Sequence, residues 1–163
     1  MSAQIQSLSF QTIDINDLSQ VQIAYDMRCK MYVANGDPYT MSDRRFPDAG
    51  SYAQYLNGHQ NKEFIVFENR RVGFYAYSFN HTKNPEGGYV HMIYLDDKYR
   101  AKGYGRYVLN KTMKHCKREG VKSLVLHSKK GNHINQDIYT KLGFKCLGDV
   151  DDTGFLLKWE MTF

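Results

Sequence analysis

Seven strand-like runs interleaved with four helical stretches predict an α/β fold for this chain. Three observations carry that expectation. The 163 residues, 42% of them hydrophobic, suit a single domain spanning 1–163, because a chain of this size buries roughly 68–70% of its unfolded surface and leaves no room for a second domain of ordinary size. Strand and helix signals alternate along most of the length. No repeat, linker or low-complexity tract interrupts them.

Each element has a local cause. Ile5 to Ile13 alternates as an edge strand, with Leu8, Phe10 and Thr12 opposite Ser9, Gln11 and Ile13, and Asp14 to Asp17 then offers capping side chains. Leu18, Val21, Tyr25, Arg28 and Tyr32 recur at helical spacing up to about Val33, where Asn35-Gly36-Asp37-Pro38 stops the pattern. A loop-like segment leads to a short helix over Ser51 to Asn57. Lys62 to Glu68 and Val72 to Phe79, rich in aromatic and β-branched residues, read as a hairpin turning at Asn69-Arg70. Asn84-Pro85-Glu86-Gly87-Gly88 reads as a break, after which Tyr89 to Leu95 is a strand with Tyr89, His91, Ile93 and Leu95 on one face. Val108, Leu109, Thr112, Met113 and Cys116 form the apolar stripe of a helix ending near Gly120, with Lys111, Lys114, Lys117 and Arg118 opposite. Val121 to Ser128 is a strand, Asn132 to Leu142 a helix closed by Gly143, and Phe144 to Leu147 and Gly154 to Phe163 are the last strands.

The longest apolar run, Phe64-Ile65-Val66-Phe67, is far below the ~18 residues of a membrane-spanning helix. Met1 to Gln6 has neither the basic nor the apolar region of a secretion signal, so a cytoplasmic protein with no membrane partner is expected. Cys29, Cys116 and Cys146 are odd in number and widely spaced, which argues for buried or half-buried thiols and against a disulfide framework or a metal site. The formal charge is +5, from 22 Lys+Arg against 17 Asp+Glu. Its lysines are mostly the solvated face of one helix without interleaved aromatic residues, so no nucleic-acid partner is expected.

Chemistry concentrates at two places. Arg100-Ala101-Lys102-Gly103-Tyr104-Gly105-Arg106 lies between a strand and an amphipathic helix. Glycines there let successive N–H groups turn toward one spot at a helix N-terminus, which makes an anion cradle suited to phosphate. No G-x-x-x-x-G-K-[ST] is present, and Val108 stands where a dinucleotide fingerprint needs its third Gly. The second place is Asn132-x-x-Asn135-x-x-x-Tyr139-x-x-x-Gly143-Phe144, at the penultimate helix.

Together with Leu95-x-x-x-Tyr99-Arg100-x-x-Gly103-x-Gly105, this pattern resembles the GCN5-related N-acetyltransferase (GNAT) superfamily, whose order of motifs it follows over residues 89 to 147. The resemblance implies a mixed central sheet of six to seven strands flanked by four helices, with strands splayed at an acyl-CoA site. It implies acetyl-CoA as acyl donor, and no metal is expected. It further implies that the backbone of Ile93, Tyr94 and Leu95 pairs with the pantetheine arm and that the amides from Arg100, Ala101, Lys102, Gly103, Tyr104, Gly105 and Arg106 bind the pyrophosphate. Asn132 would touch the pantetheine and Tyr139 would face the sulfur as general acid. Asn135 departs from the small residue usual at its place.

An alkyl amine with a pKa of ~10.4 is neutral in about one molecule in two thousand at pH 7, so acyl transfer to it requires a base. His91 is the candidate, Glu86 the backup, and a water chain a third route. His127, on the other face from Leu126 and Ser128, is given no role. In this fold the acceptor pocket comes from the first helices and their loop, here Tyr25 through Phe46, where Tyr25, Tyr32 and Tyr39 are candidates to line it by cation–π contact. The expected activity is transfer of acetyl to a primary amine of a small molecule by direct attack in a ternary complex. The alternatives are acetylation of a protein N-terminus or lysine, and a non-catalytic acyl-CoA-binding module. The oligomeric state stays open, a homodimer included.

Overall fold

Asp17 opens the first helix by accepting from the Ser19 amide through Oδ1 at 3.0 Å, as its position in the sequence requires. In a computed structural model of the chain the described residues are 7–34 and 46–163. They contain β1 (Leu8–Thr12), α1 (Leu18–Ala34), α2 (Ala49–Asn57), β2 (Asn61–Phe67), β3 (Arg70–His81), β4 (Asn84–Leu95), α3 (Tyr104–Arg118), β5 (Ser123–Lys129), α4 (His133–Leu142), β6 (Lys145–Asp149) and β7 (Leu156–Thr162). The strands form one mixed sheet in the order β1-β2-β3-β4-β5-β7-β6. β1–β2, β5–β7 and β6–β7 are antiparallel, and β4–β5 is parallel. The β4–β5 ladder joins Gly88 to Leu124 and Tyr89 to Val125, whereas β5 and β7 stay in register from Ser123↔Thr162 to Lys129↔Leu156. The expected α/β fold, with its mixed sheet and four helices, is what the chain adopts.

Three local expectations are corrected. The β2–β3 turn falls at Glu68 and Asn69, not at Asn69-Arg70, and both residues are left-handed, with φ of 49° and 63°. That pair of positive angles is what a two-residue hairpin turn with the right twist demands, and Asn meets it more easily than Glu. The segment 84–88 does not break the chain but begins β4. Its Gly87 is there for close approach: a Cβ would lie 2.5 Å from the Ser123 carbonyl oxygen and 2.4 Å from Asn84 Nδ2. Helix α2 begins at Ala49, two residues before the expected Ser51, because Asp48 and Ser51 form a capping box, the Ser51 amide donating to Asp48 Oδ1 at 2.8 Å.

The chain divides into two compact units, Met1–Ala76 with Met92–Tyr104 and Tyr77–His91 with Gly105–Phe163. In the first, Val21, Ala24 and Met27 of α1 pack with Tyr52 and Leu56 of α2 and with Phe64, Phe74 and Met92 of the sheet. In the second, Val108 and Leu109 of α3, Leu124 to Leu126 of β5, Phe144 and Trp159 are buried. The three cysteines are free. Cys29 and Cys116 are buried, whereas Cys146 is exposed on β6, the edge strand of the sheet. Burial pushes the Cys116 thiol up to about 11. No helix among the described residues is long and apolar enough to cross a membrane.

Candidate functional site

The glycine-rich segment after β4 is a fastened loop. Arg100 donates through Nε to the Leu95 carbonyl at 2.7 Å and pairs with Asp97 at 2.6 Å, its guanidinium lying 5.5 Å from the centre of the Tyr94 ring. The side chain is thus a strut tying the loop to the end of its own strand. The backbone then passes through the left-handed region twice, at Ala101 (φ 58°) and Gly103 (φ 87°), before α3 begins at Tyr104. For Ala101 that conformation costs about 1 kcal/mol or more and persists only because neighbouring contacts hold it. Alternating left- and right-handed residues at a helix start turn successive amides toward one point, which is the geometry an anion requires. Lys102 and Arg106 are exposed beside them.

Of the strand residues expected along the cofactor arm, Tyr94 and Leu95 are buried and Ile93 is half-buried. Tyr94 belongs to the core of the first unit and donates its hydroxyl to Asp96 at 3.0 Å. Burial, and then the bond to Asp96, pushes its phenol up to about 12. The side chain is thus committed to the core of that unit. Beyond this strand end lies a cavity of about 410 Å³, lined among others by Lys30, Arg71, Asp96, Lys98 and Tyr99.

In the second unit, His91 sits in an aromatic cluster. Its Nε2 is 2.9 Å from Ser78 Oγ, and its ring meets those of His81 and Tyr89 edge-on at 4.9 and 5.1 Å. His81 stacks on Tyr89 at 5.1 Å, with planes 15° apart. Across the parallel ladder, His127 Nδ1 lies 3.3 Å from the Tyr89 hydroxyl, and Lys83 Nζ lies 3.4 Å from the same oxygen. Burial, then the charges of Lys83 and Lys158, hold the His127 imidazole down to about 4. Burial and Lys83 lower His81 as well. Glu86, placed on a loop by the sequence reading, is an exposed residue of β4.

Helix α4 carries the second motif. Asn132 is its N-cap, accepting the Asn135 amide through Oδ1 at 3.1 Å, and Gly143 closes it at φ 99°. The cap engages the Asn132 oxygen and leaves its amide nitrogen to donate elsewhere. Asn135 is half-buried. The Tyr139 ring packs between Phe144 and Trp159 at 6.0 and 5.6 Å. Burial pushes its phenol up to about 12, and among the described residues none hydrogen-bonds its hydroxyl.

The tyrosines expected to line an acceptor pocket are engaged otherwise. Tyr25 is 6% exposed and donates its hydroxyl to the Phe46 carbonyl at 2.5 Å. Tyr32 faces a cation already within the chain: the Arg28 guanidinium, 2% exposed, lies 4.8 Å from the Tyr32 ring centre and 5.1, 5.4 and 5.6 Å from those of Phe46, Tyr52 and Tyr55. Tyr39 lies outside the described residues. His81 and His127 went unassigned by sequence reasoning. His81 ends β3, directly after left-handed Asn80 (φ 55°). His127 reaches the cluster because Val125 pairs with Tyr89, so the residues two further along each strand share a face. The matching tyrosine–x–histidine and valine–x–histidine steps were visible, but only the pairing gives them meaning.

The family model described as Acetyltransferase (GNAT) family matches residues 24–144. No curated protein matches the chain in sequence. Among solved structures, an acetyltransferase from Thermus thermophilus superposes with a TM-score of 0.76 at 13% identity, covering 98% of this chain and 99% of that one. The PaiA N-acetyltransferase from Thermoplasma acidophilum, in complex with coenzyme A, gives 0.68 at 18% identity over 96% and 99% of the two chains. A ribosomal-protein-alanine N-acetyltransferase from Brucella melitensis gives 0.68 at 18% over 95% and 99%.

Proposed function

We propose, from the premise that this chain belongs to the acetyltransferase (GNAT) family, that it is an acetyl-CoA-dependent N-acetyltransferase acting on a primary amine of a small molecule. The observation that carries this reading is the fastened loop: Arg100 ties it to Leu95, and two left-handed residues turn its backbone into the start of α3. A phosphate ligand at that point gains the aligned amides, the helix dipole and the exposed Lys102 and Arg106.

Acetyl-CoA supplies an activated acetyl thioester. In the proposed assignment the backbone of Ile93, Tyr94 and Leu95 pairs with the pantetheine arm, the amides from Arg100 to Arg106 hold the pyrophosphate, and Asn132 donates through its side-chain nitrogen. His91, held by Ser78, receives the proton of the attacking amine. Tyr139 acts on the departing sulfur. Its raised pKa keeps the hydroxyl protonated at neutral pH, and the absence of a partner among the described residues leaves that proton to be given to the thiolate. Glu86 stands as the second candidate base.

Differential scanning with and without millimolar acetyl-CoA tests the donor half, since a ligand bound by the native state alone raises the melting temperature. A thiol-release screen over polyamines, aralkylamines, amino acids, aminoglycosides and peptides tests the transfer. An upward shift with thiol release on at least one small amine supports the reading. No shift, or release only with peptides, overturns it.

A further inference from the structure

Tyr94 carries a hydroxyl at a core position that a phenyl ring alone would fill. Its ring belongs to the same core as Val21, Ala24 and Met27 of α1, and a buried hydroxyl costs free energy unless it is bonded. Here the bond goes to Asp96 Oδ1 at 3.0 Å. Asp96 is the N-cap of the short turn Asp97–Tyr99, where an aspartate ordinarily accepts an amide of its own turn, yet its side chain makes no capping bond. The carboxylate is turned back to Tyr94 instead. Asp96 is also held through its backbone, the amide donating to the Val72 carbonyl at 2.8 Å. Gly73, next in β3, leaves room for the strand end: a Cβ there would lie 2.0 Å from the Tyr94 carbonyl oxygen. After the turn, Arg100 comes back over the same ring, its guanidinium carbon 5.5 Å from the centre, while it bonds Leu95 and Asp97. Both ends of the turn therefore rest on one buried side chain.

We propose that the Tyr94 side chain is a positioning residue for the acyl donor, setting the point from which the loop Arg100 to Arg106 starts. The proposal rests on the reading of that loop as the pyrophosphate site. Left-handed Ala101 and Gly103 shape the loop internally, whereas the bond to Asp96 and the cation over the ring tie its origin to the core. A displacement of about 1 Å is enough to misalign amides and phosphate oxygens, because hydrogen bonds weaken steeply with angle and distance. The phenol, pushed up to about 12, stays protonated at neutral pH and donates to the carboxylate. Such a bond to a charged acceptor is stronger than one between neutral groups.

Calorimetric titration of the full chain with acetyl-CoA, with no acceptor present, tests the role. Tyr94→Phe keeps the ring and removes only the hydroxyl, and Asp96→Ala removes its partner. Each is expected to raise the Kd for acetyl-CoA about tenfold, while the melting temperature of the unliganded protein falls by no more than about 5 °C. The double variant is expected to bind about tenfold and not about a hundredfold more weakly than the wild type, since both changes remove the same bond. Asp96→Asn keeps an acceptor oxygen and is expected to bind within about threefold of the wild type. An unchanged Kd in Tyr94→Phe, multiplied losses in the double variant, or an Asp96→Asn that binds no better than Asp96→Ala overturns the proposal. A wild type that binds no acetyl-CoA overturns the donor reading itself, whereas wild-type binding that the variants leave unmoved overturns the role of Tyr94 alone.

Discussion

Arg100 donates through Nε to the carbonyl of Leu95, 2.7 Å away, and so closes the loop that the glycine-rich segment makes after β4. Arg100, expected from the resemblance to serve through its amide, has a side chain that acts as a fastener. Arg100→Ala removes that bond and the Asp97 pair, and with a partly exposed side chain the expected loss of stability is about 1 kcal/mol. The larger effect is expected on the donor, with KM for acetyl-CoA rising about tenfold as the loop loosens. A thermal shift by acetyl-CoA equal to that of the wild type would remove Arg100 from this role.

Tyr139→Phe is expected to leave stability within about 0.5 kcal/mol, because the hydroxyl has no hydrogen bond to lose among the described residues. Turnover should fall about a hundredfold if the hydroxyl is the proton donor to sulfur. The acetyl-CoA thermal shift should persist. Unchanged turnover rules out Tyr139 as the acid, and a lost shift means that the hydroxyl serves binding instead.

His127 makes stability depend on pH. Its folded pKa, about 4, lies below the ~6.5 of an unfolded imidazole, so between these values the unfolded chain binds more protons and folding weakens as pH falls. Its stabilising effect is full above about 6.5 and is lost as pH drops toward 4. For a half-exposed ring, the screened size is about 1–2 kcal/mol. Urea titrations at pH 7.5, 6 and 4.5 should show a shallower acid decline in His127→Gln than in the wild type. Parallel declines would show that other groups set the acid limb.

Arg28 is buried among four aromatic rings, and Arg28→Ala removes both cation–π contacts and packing. A loss of about 2–4 kcal/mol is expected. Arg28→Lys keeps the charge but not the planar fork that stacks on rings, so it should recover less than half. Chemical denaturation measures both, and a loss under about 1 kcal/mol in Arg28→Ala would show that the rings close over the gap.

Helix α1 and the closing glycine of α4 were legible because apolar spacing and caps are local. Gly87 misled for the opposite reason: a glycine in a strand and a glycine in a turn look alike until the Ser123 carbonyl is seen to occupy the space of its absent side chain. The hairpin turn slipped by one residue because Glu68 and Asn69 adopt left-handed angles without the glycine that usually marks them.

By itself the sequence determined the α/β class, the order of elements and the two motifs that mark the acetyltransferase family, since periodicity, caps and residue spacing are written along one chain. Tertiary structure alone decided which side chains meet. It made Arg100 a strut, gave Tyr32 the guanidinium of Arg28 as its cation, and set His127 beside Tyr89 through the parallel pairing of β4 with β5. Strand register and burial depend on residues dozens of positions apart, and no local pattern encodes them.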